Sequence, residues 1–367
     1  VTDIRRVLDP MRPADRALWQ RLWTDSREQL PFAHPGVTGP LSVQQGRLQA
    51  LTLTWQDSTV LYPLVLREVG DGRRDVSSPY GYGGPLVHGD APKEEIGRRF
   101  WSFFEDWARD HKVVSEFARL SLFDDTLAHP GRTRHRSINY VRELPAGREA
   151  LWSGSAPKVR QNARKAERAG LTVRVAEDDL LLGHFERIYA GTMVRLDSKP
   201  WYRFDHSFFT ALHRSCPDRL VYVAAEQDGR PVSMDLLLLG RETAYYFLGG
   251  TDIEAARSRP NDLVKMAVME WLVGRGYRRY VLGGGVRPGD GLERYKKGFA
   301  PDGGTSFRTA ERVLDPAGYA ALVQARRTEA LDTDQDWDED SDFFPLYRAP
   351  MRPRDRERVP EMSGGSS

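Results

Sequence analysis

What the chain lacks narrows the field first. It has a single cysteine, Cys216, among 367 residues. One thiol makes neither an internal disulfide nor a cysteine-rich zinc site, and a reducing compartment is the expected setting. Excess charge is also missing, because 54 Lys and Arg face 52 Asp and Glu. Any basic surface must therefore be local, and bulk charge does not make the whole molecule a polyanion binder. No stretch approaches the roughly 18 apolar residues of a membrane span. The opening VTDIRRVLDPMRPADRALW lacks the apolar centre of a secretion signal. A soluble, cytoplasmic protein is expected. There is no GxxxxGK[ST] phosphate loop and no histidine–carboxylate cluster at metal-ligand spacing, so neither an ATP site nor a metal is expected.

Enough apolar residues are present (40%) to build real cores, and the length suits about two domains of roughly 150 residues. One stretch organises the rest: PNDLVKMAVMEWLVGRGYRRYVLGGGVRPGDGLERYKKGF, from Pro260 to Phe299. Pro260 and Asn261 mark a helix start, with Asn261 as the expected cap. Val264, Ala267, Val268, Trp271 and Leu272 share one helical face. Gly274 and Gly276 end the helix, and Tyr277 to Leu282 reads as a strand. Gly283, Gly284 and Gly285 then allow a sharp turn or a close approach to a ligand. Lys296 and Lys297 follow in a turn between Tyr295 and Phe299.

The first half suggests a helix over 13–30, a Pro/Gly loop over 30–41, and a hairpin of strands 47–55 and 59–69. SSPYGYGGPL, from Ser77 to Leu86, interleaves glycine with Tyr80 and Tyr82. Two readings stay open there: a loop that presents phenols, or a packed turn. Ile96, Phe100, Phe103 and Trp107 mark a helix with an aromatic core face. Strands over 117–123 and 137–144 complete an α/β or α+β order. In the second half a helix is expected from a Ser155 cap to Ala169. Arg160, Arg164 and Arg168 recur every four residues on it, beside Lys165. That stripe suits phosphates, and a merely solvated face is the competing reading. Helices over 182–194 and near 208–216 put Cys216 in a core rather than in a nucleophile's setting. A hairpin through Asp228-Gly229 and a third strand over 243–248 lead back to the organising stretch.

This order is that of an acetyltransferase-like α/β domain, and the first half repeats it more loosely. The fold class is therefore α/β, with two tandem acetyltransferase-like (GNAT) lobes of mixed, mostly antiparallel sheet and a cleft between them. The lobes are expected over 1–150 and 151–315. Helix 316–331 packs back on the first lobe, and 332–367 forms an acidic then basic, largely disordered tail.

The chain resembles the Fem family, non-ribosomal peptidyltransferases that use aminoacyl-tRNA. SPYGYGGP, KVRQNARKAERAGLTVRV, the helix and strand from Asn261 to Leu282 with their glycines, and GLERYKKGF carry the resemblance in the family's order. It implies transfer of an amino acid from tRNA to an amine on a cell-wall (peptidoglycan) precursor or a small-molecule scaffold. It assigns Lys296, after Tyr295, to the reacting centre. It points to Arg195, Tyr202 and Tyr246 as acceptor contacts and to Asp90 as the carboxylate after the glycine motif. Tyr80, Tyr82, Tyr295 and Lys297 complete the candidate substrate set, Lys297 on the phosphates of the tRNA 3′ end. Arg160, Arg164, Lys165 and Arg168 are the candidate tRNA contacts. The chain departs from some members, since Met193 to Leu220 leaves no room for a coiled-coil arm and no Trp-rich acceptor pocket can be identified.

An aminoacyl ester is already activated, so no cofactor is expected beyond aminoacyl-tRNA as co-substrate; the oligomeric state stays open, a monomer being compatible. Lys296 would hold the tetrahedral oxyanion, a contribution of about 3 kcal/mol for one such donor. No general base is evident: His88 and Asp90 are candidates, and loss of the amine's proton to water or to the substrate itself is the alternative. The rival reading is an acyl-CoA-dependent N-acyltransferase with acetyl-CoA as donor. AARSRPNDLV, at the start of the central helix, lacks the glycines of a pyrophosphate loop. A non-catalytic RNA-binding module is the third reading.

Overall fold

The computed structural model describes residues 2–353. The first half runs β1 (Ile4–Leu8), α1 (Pro13–Asp25), α2 (Pro35–Ser42), β2 (Arg47–Trp55), β3 (Ser58–Gly70), β4 (Arg73–Ser77), β5 (Leu86–His88), α3 (Lys93–Asp110), β6 (Val113–Arg119) and β7 (Arg132–Glu143). Two connecting helices follow, α4 (Arg148–Ser153) and α5 (Pro157–Arg168). The second half runs β8 (Thr172–Ala176), α6 (Leu182–Arg195), α7 (His206–Ser215), β9 (Leu220–Gln227), β10 (Arg230–Leu239), β11 (Thr243–Thr251), α8 (Pro260–Gly274), β12 (Arg279–Gly284), α9 (Gly291–Phe299) and β13 (Gly304–Val313). Helix α10 (Pro316–Asp332) closes the order. Setting β5 and α9 aside, each half is strand, two helices, three strands, helix, two strands.

These thirteen strands join one sheet in the order β1-β2-β3-β4-β6-β13-β7-β12-β11-β10-β9-β8, with β5 paired to β3, and Gln335–Asp336 and Arg352–Pro353 form a separate short pair. Two pairs are parallel, β4 with β6 and β11 with β12, and each is bridged by the long helix of its half. The seam is an exchange. β13, from the end of the second half, lies between β6 and β7, and β7 carries the ladder on to β12. Chain order and sheet order therefore cross at the centre, and the two lobes share one continuous ladder.

Both faces of the sheet are covered, so the central strands read as nearly continuous apolar runs. Alternation sorts their residues. On β9, Leu220, Tyr222 and Ala224 enter a core with Trp19, Trp23, Phe185 and Phe209 of α1, α6 and α7. Val221, Val223 and Ala225 face α5 and α8. On the first lobe's outer face, Leu51, Leu53, Tyr62 and Leu64 pack on Phe100, Phe104 and Trp107 of α3.

Three local expectations change. The 30–41 segment contains α2, begun by Pro35 at its first turn and capped by His34, whose Nδ1 accepts from Gly36 N at 3.0 Å. Asn261 caps nothing. Arg259, with φ of 61°, precedes α8 and Pro260 opens it. Ser155 does not cap α5; its hydroxyl donates to the Leu151 carbonyl at 3.1 Å. The tail also differs. Residues 332–353 pack on the first lobe instead of trailing from it. Leu322 of α10 meets Val114 and Tyr347. Tyr347 bonds Ser115 and the fully buried Asp75, which Arg348 and Arg67 also hold. In the acidic run, Asp342 pairs with Arg134 and Glu339 with Arg327. A buried carboxylate needs such partners, which is why this segment is ordered. The remainder of the expected tail, 354–367, lies outside the described residues.

Candidate active site in the cleft between the lobes

Lys296 sits on a helix rather than in a turn. Asp290 caps α9 by accepting from Glu293 N at 2.7 Å, and its other oxygen takes Val286 N and Arg287 N. These backbone donors hold the Asp290 carboxyl below its ordinary range. The helical spacing turns Lys296 and Phe299 inward and leaves Lys297 exposed. Lys296 is only 6% exposed. Its Nζ donates to the Gly284 carbonyl at 2.7 Å and stands 5.5 Å from the centre of the Tyr246 ring. Gly283 makes room for the amine. Its φ is +79°, and a Cβ there would lie 3.2 Å from Nζ. Burial, then the nearby Lys265 ammonium, pulls the Lys296 pKa down to about 7.

Beneath Tyr246 lies a buried ion pair that sequence reasoning missed. Lys265 of α8 bonds Asp235 of β10, and its Nζ is 3.8 Å from the Tyr246 ring centre. Burial lowers the Lys265 pKa and raises that of Asp235, while their mutual attraction opposes both shifts. The available signal was a lone lysine in VKMAV and a lone aspartate in SMDLLLL.

The Ser78–Pro85 loop supplies the facing wall. Gly81, with φ of +96°, lies so close to Phe32 that a Cβ would meet its ring at 2.2 Å. Tyr82 packs on Phe32 and Tyr245 and donates to Asn139 Oδ1 at 2.8 Å. Tyr80 packs edge-on to Phe32 and Phe247. Tyr80 and Tyr246 keep some accessible surface, yet burial pushes the Tyr80 phenol up to about 12 and that of Tyr246 well above its ordinary value. The two loop phenols thus lie partly buried where the Ser78–Pro85 loop packs on β11, with Tyr80 on Phe247 and Tyr82 on Tyr245. Phe32 was invisible to sequence reasoning because the 30–41 segment read as a loop, and Asn139 because it was one polar residue inside an expected strand.

Tyr202 stays near the Tyr80 wall: it is 38% exposed, its carbonyl accepts from Tyr189, and its phenol interacts electrostatically with Tyr80. The other candidates disperse. Arg195 is exposed and donates to the Thr251 carbonyl at 3.1 Å. Tyr295 turns away into the second lobe's core, where its hydroxyl donates to the Asn261 carbonyl. Asp90 is exposed beyond β5, at the Ser58 end of β3, whereas the Ser78–Pro85 loop spans the middle of that strand, from Ser77 opposite Val65 to Leu86 opposite Leu61. His88 lies on that same far stretch. Neither neighbours Lys296. Among the described residues, no group of three or more histidine, cysteine or carboxylate side chains converges as a metal site.

The basic stripe divides. Arg160 donates to the carbonyls of Trp152, Ser153 and Ser155 and so closes the end of α4. Lys165 donates to the Arg257 carbonyl at 2.8 Å. Arg164 stacks over Trp152 at 5.6 Å, and Arg168 is exposed. Arg148, Trp152, Arg160 and Arg164 line an open pocket of about 610 Å³ on the outer side of α4 and α5. Cys216 is buried, its thiol donates to the Leu212 carbonyl, and burial pushes its pKa up to about 12.

The N-terminus of α8 is occupied from within. Asp262 is 2% exposed in the first turn and accepts from Asn162 of α5 at 3.2 Å. A carboxylate there takes the place an anionic ligand would use at a helix N-terminus.

Residues 155–297 match the acetyltransferase (GNAT) domain family. No curated protein sequence matches the chain. Solved structures do. FemX superposes with a TM-score of 0.66 at 12% identity, covering 83% of this chain and 98% of FemX. L-PGS from Bacillus licheniformis superposes with a TM-score of 0.54 at 14% identity, covering 83% of this chain and 92% of that one. The C-terminal domain of an Agrobacterium fabrum protein assigned as a lysylphosphatidylglycerol synthetase gives 0.56 at 14% identity, covering 86% and 97%. The chain has the Fem-type tandem GNAT fold, with two acetyltransferase-like lobes joined through exchanged strands.

Proposed function

We propose that this protein is an acyltransferase that moves an aminoacyl group from aminoacyl-tRNA to an amine. The observation that carries the reading is Lys296, buried beside a glycine turn and near the Tyr246 ring, with no carboxylate bonded to its amine among the described residues. The acceptor amine attacks the ester carbonyl, the C–N bond forms, and the bond to the tRNA ribose oxygen breaks. Lys296 as the ammonium stabilises the oxyanion, worth about 3 kcal/mol for a single preorganised donor. The accepting nitrogen loses its proton to solvent or to the departing ribose oxygen, since among the described residues no histidine or carboxylate is hydrogen-bonded to the Lys296 amine. The exposed side of α5, through Arg164 and Arg168, is the proposed tRNA contact, and Lys297 is the proposed contact to the 3′-end phosphates. The likeness of the fold to FemX and L-PGS supports the class of donor.

A second reading has one observation in its favour, the GNAT family match over 155–297. It would make the donor an acyl-CoA. Against it stand Pro260, which removes an N–H, and the buried Asp262 carboxylate at the same helix end. The deciding experiment compares charged tRNA with acetyl-CoA on a panel of amines. Transfer from charged tRNA, abolished by prior ribonuclease, is the expected result. Transfer from acetyl-CoA alone would overturn the donor assignment.

A further inference from the structure

Arg119 ends β6 at the seam of the sheet, on the first-lobe wall of the cleft. Its side chain makes one hydrogen bond to the protein, from Nη1 to the Ser78 carbonyl at 3.2 Å, and its guanidinium packs over the Phe117 ring at 5.2 Å. Among the described residues no carboxylate forms an ion pair with it. Its cationic neighbour Arg67 is differently placed, since it holds the buried Asp75 at 2.6 Å. Arg67 therefore adds positive potential at Arg119 without answering it. The phenols of Tyr80 and Tyr202 interact electrostatically with the guanidinium, and burial disfavours its charge. A desolvated cation without a counter-charge is costly, and arginines in this position ordinarily meet a carboxylate or phosphate. Tyr80 also interacts with Tyr246, whose ring neighbours Lys296. Arg119 and Lys296 are thus two cations with no ion-paired carboxylate among the described residues, linked electrostatically through Tyr80 and Tyr246.

We infer that Arg119, with Tyr80 and Tyr202, forms an anion subsite that binds a carboxylate or phosphate group of the amine acceptor. The inference rests on the transferase reading for the word acceptor, but the subsite itself does not depend on the donor. It makes the acceptor an amine with an anionic group, held at one end by Arg119 while its nitrogen reaches toward Lys296. Arg119 is a specificity residue here and takes no part in bond making.

Calorimetric titration tests this without any donor present. Glycylglycine is compared with glycylglycine amide, and phosphoethanolamine with ethanolamine, on the full chain. The wild type is expected to bind the anionic member of at least one pair tenfold or more tightly. Discrimination in the first pair assigns a carboxylate, and in the second a phosphate. Arg119→Gln should abolish the preference and Arg119→Lys should keep part of it, both at a melting temperature near wild type. Equal affinity within both pairs, or a preference that survives in Arg119→Gln, would overturn the subsite. If Arg119→Gln fails to fold, Arg119→Lys decides: a preference undiminished from wild type overturns the subsite. A preference that holds while acetyl-CoA proves to be the donor would leave the subsite standing and remove only the tRNA assignment.

Discussion

The two lobes share an order of elements but differ in what they bury. In the first lobe α3 buries Ile96, Phe100, Trp101, Phe104 and Trp107, and no charged side chain. Its counterpart α8 buries Asp262 and Lys265 among Leu263, Val264, Met266 and Met269. Buried charge costs several kcal/mol unless it is paired, so a helix that only supports a sheet gains nothing from it. The lobes differ again after the parallel pair. A loop follows β6, whereas β12 leads through Gly283–Gly285 to α9 and Lys296. The first lobe contributes the Tyr80 wall and buries its carboxylates, Asp75 and Glu116, on strands, whereas the second sets the Lys265–Asp235 pair beneath the Tyr246 ring that neighbours Lys296. One feature is common to both. Each long helix begins with acidic residues, Glu94 and Glu95 or Asp262, so neither N-terminus offers an unopposed positive pole to a pyrophosphate.

The contrast can be broken most severely at Lys265. Lys265→Met leaves Asp235 buried and unpaired and should cost about 3–5 kcal/mol of stability by chemical denaturation. A loss under 1 kcal/mol would mean the pair is not ionised. Next comes Lys296→Ala, for which kcat should fall about 10²–10³-fold, the scale of one oxyanion donor. Lys297→Ala, one residue away and exposed, should leave the chemical step unchanged in single turnover.

Lys296 also makes a pH prediction of definite sign. Its folded pKa, about 7, lies below the ordinary 10.5. Between those values the unfolded chain binds more protons, so this lysine's destabilising effect is full below pH 7 and fades as pH rises toward 10.5. Lys296→Met should therefore raise the melting temperature, more at pH 6 than at pH 9. The same value predicts that transfer, if it needs the ammonium, declines on the alkaline side of pH 7. A rate that instead rises through pH 7 and levels off would make Lys296 a base.

The smaller effects concern the surface. Charge reversal at Arg164 and Arg168 should weaken tRNA binding and flatten its salt dependence by roughly one unit of log–log slope per lost contact. Arg160→Glu should instead lower stability, because that arginine closes α4.

Much of the second lobe was legible in the chain. Val264, Val268 and Leu272 announced α8, and Gly283–Gly285 announced the turn that admits the Lys296 amine. Where local signals were weak or misleading, the reading stopped. Pro35, Gly36 and Pro40 masked α2, whose stability comes from burial and a histidine cap rather than propensity. Glycines and charges masked α9, although Asp290 at its start was a capping signal. Tyr295 was placed in the site by adjacency to Lys296, but helical geometry points successive side chains in different directions. The exchange of β7 and β13 left no trace in local pattern, because strand pairing across the seam is a long-range choice. Tyr347 and Arg348 were lost in a charged tail, and their docking rests on long-range partners, the buried Asp75 and Ser115, that local pattern does not show.

The most direct test of the account is single-turnover transfer from charged tRNA by the wild type and by Lys296→Ala at equal folded concentration. The account predicts rapid ribonuclease-sensitive product from the wild type and a loss of about two to three orders of magnitude in the variant. Equal rates for the two proteins would contradict it.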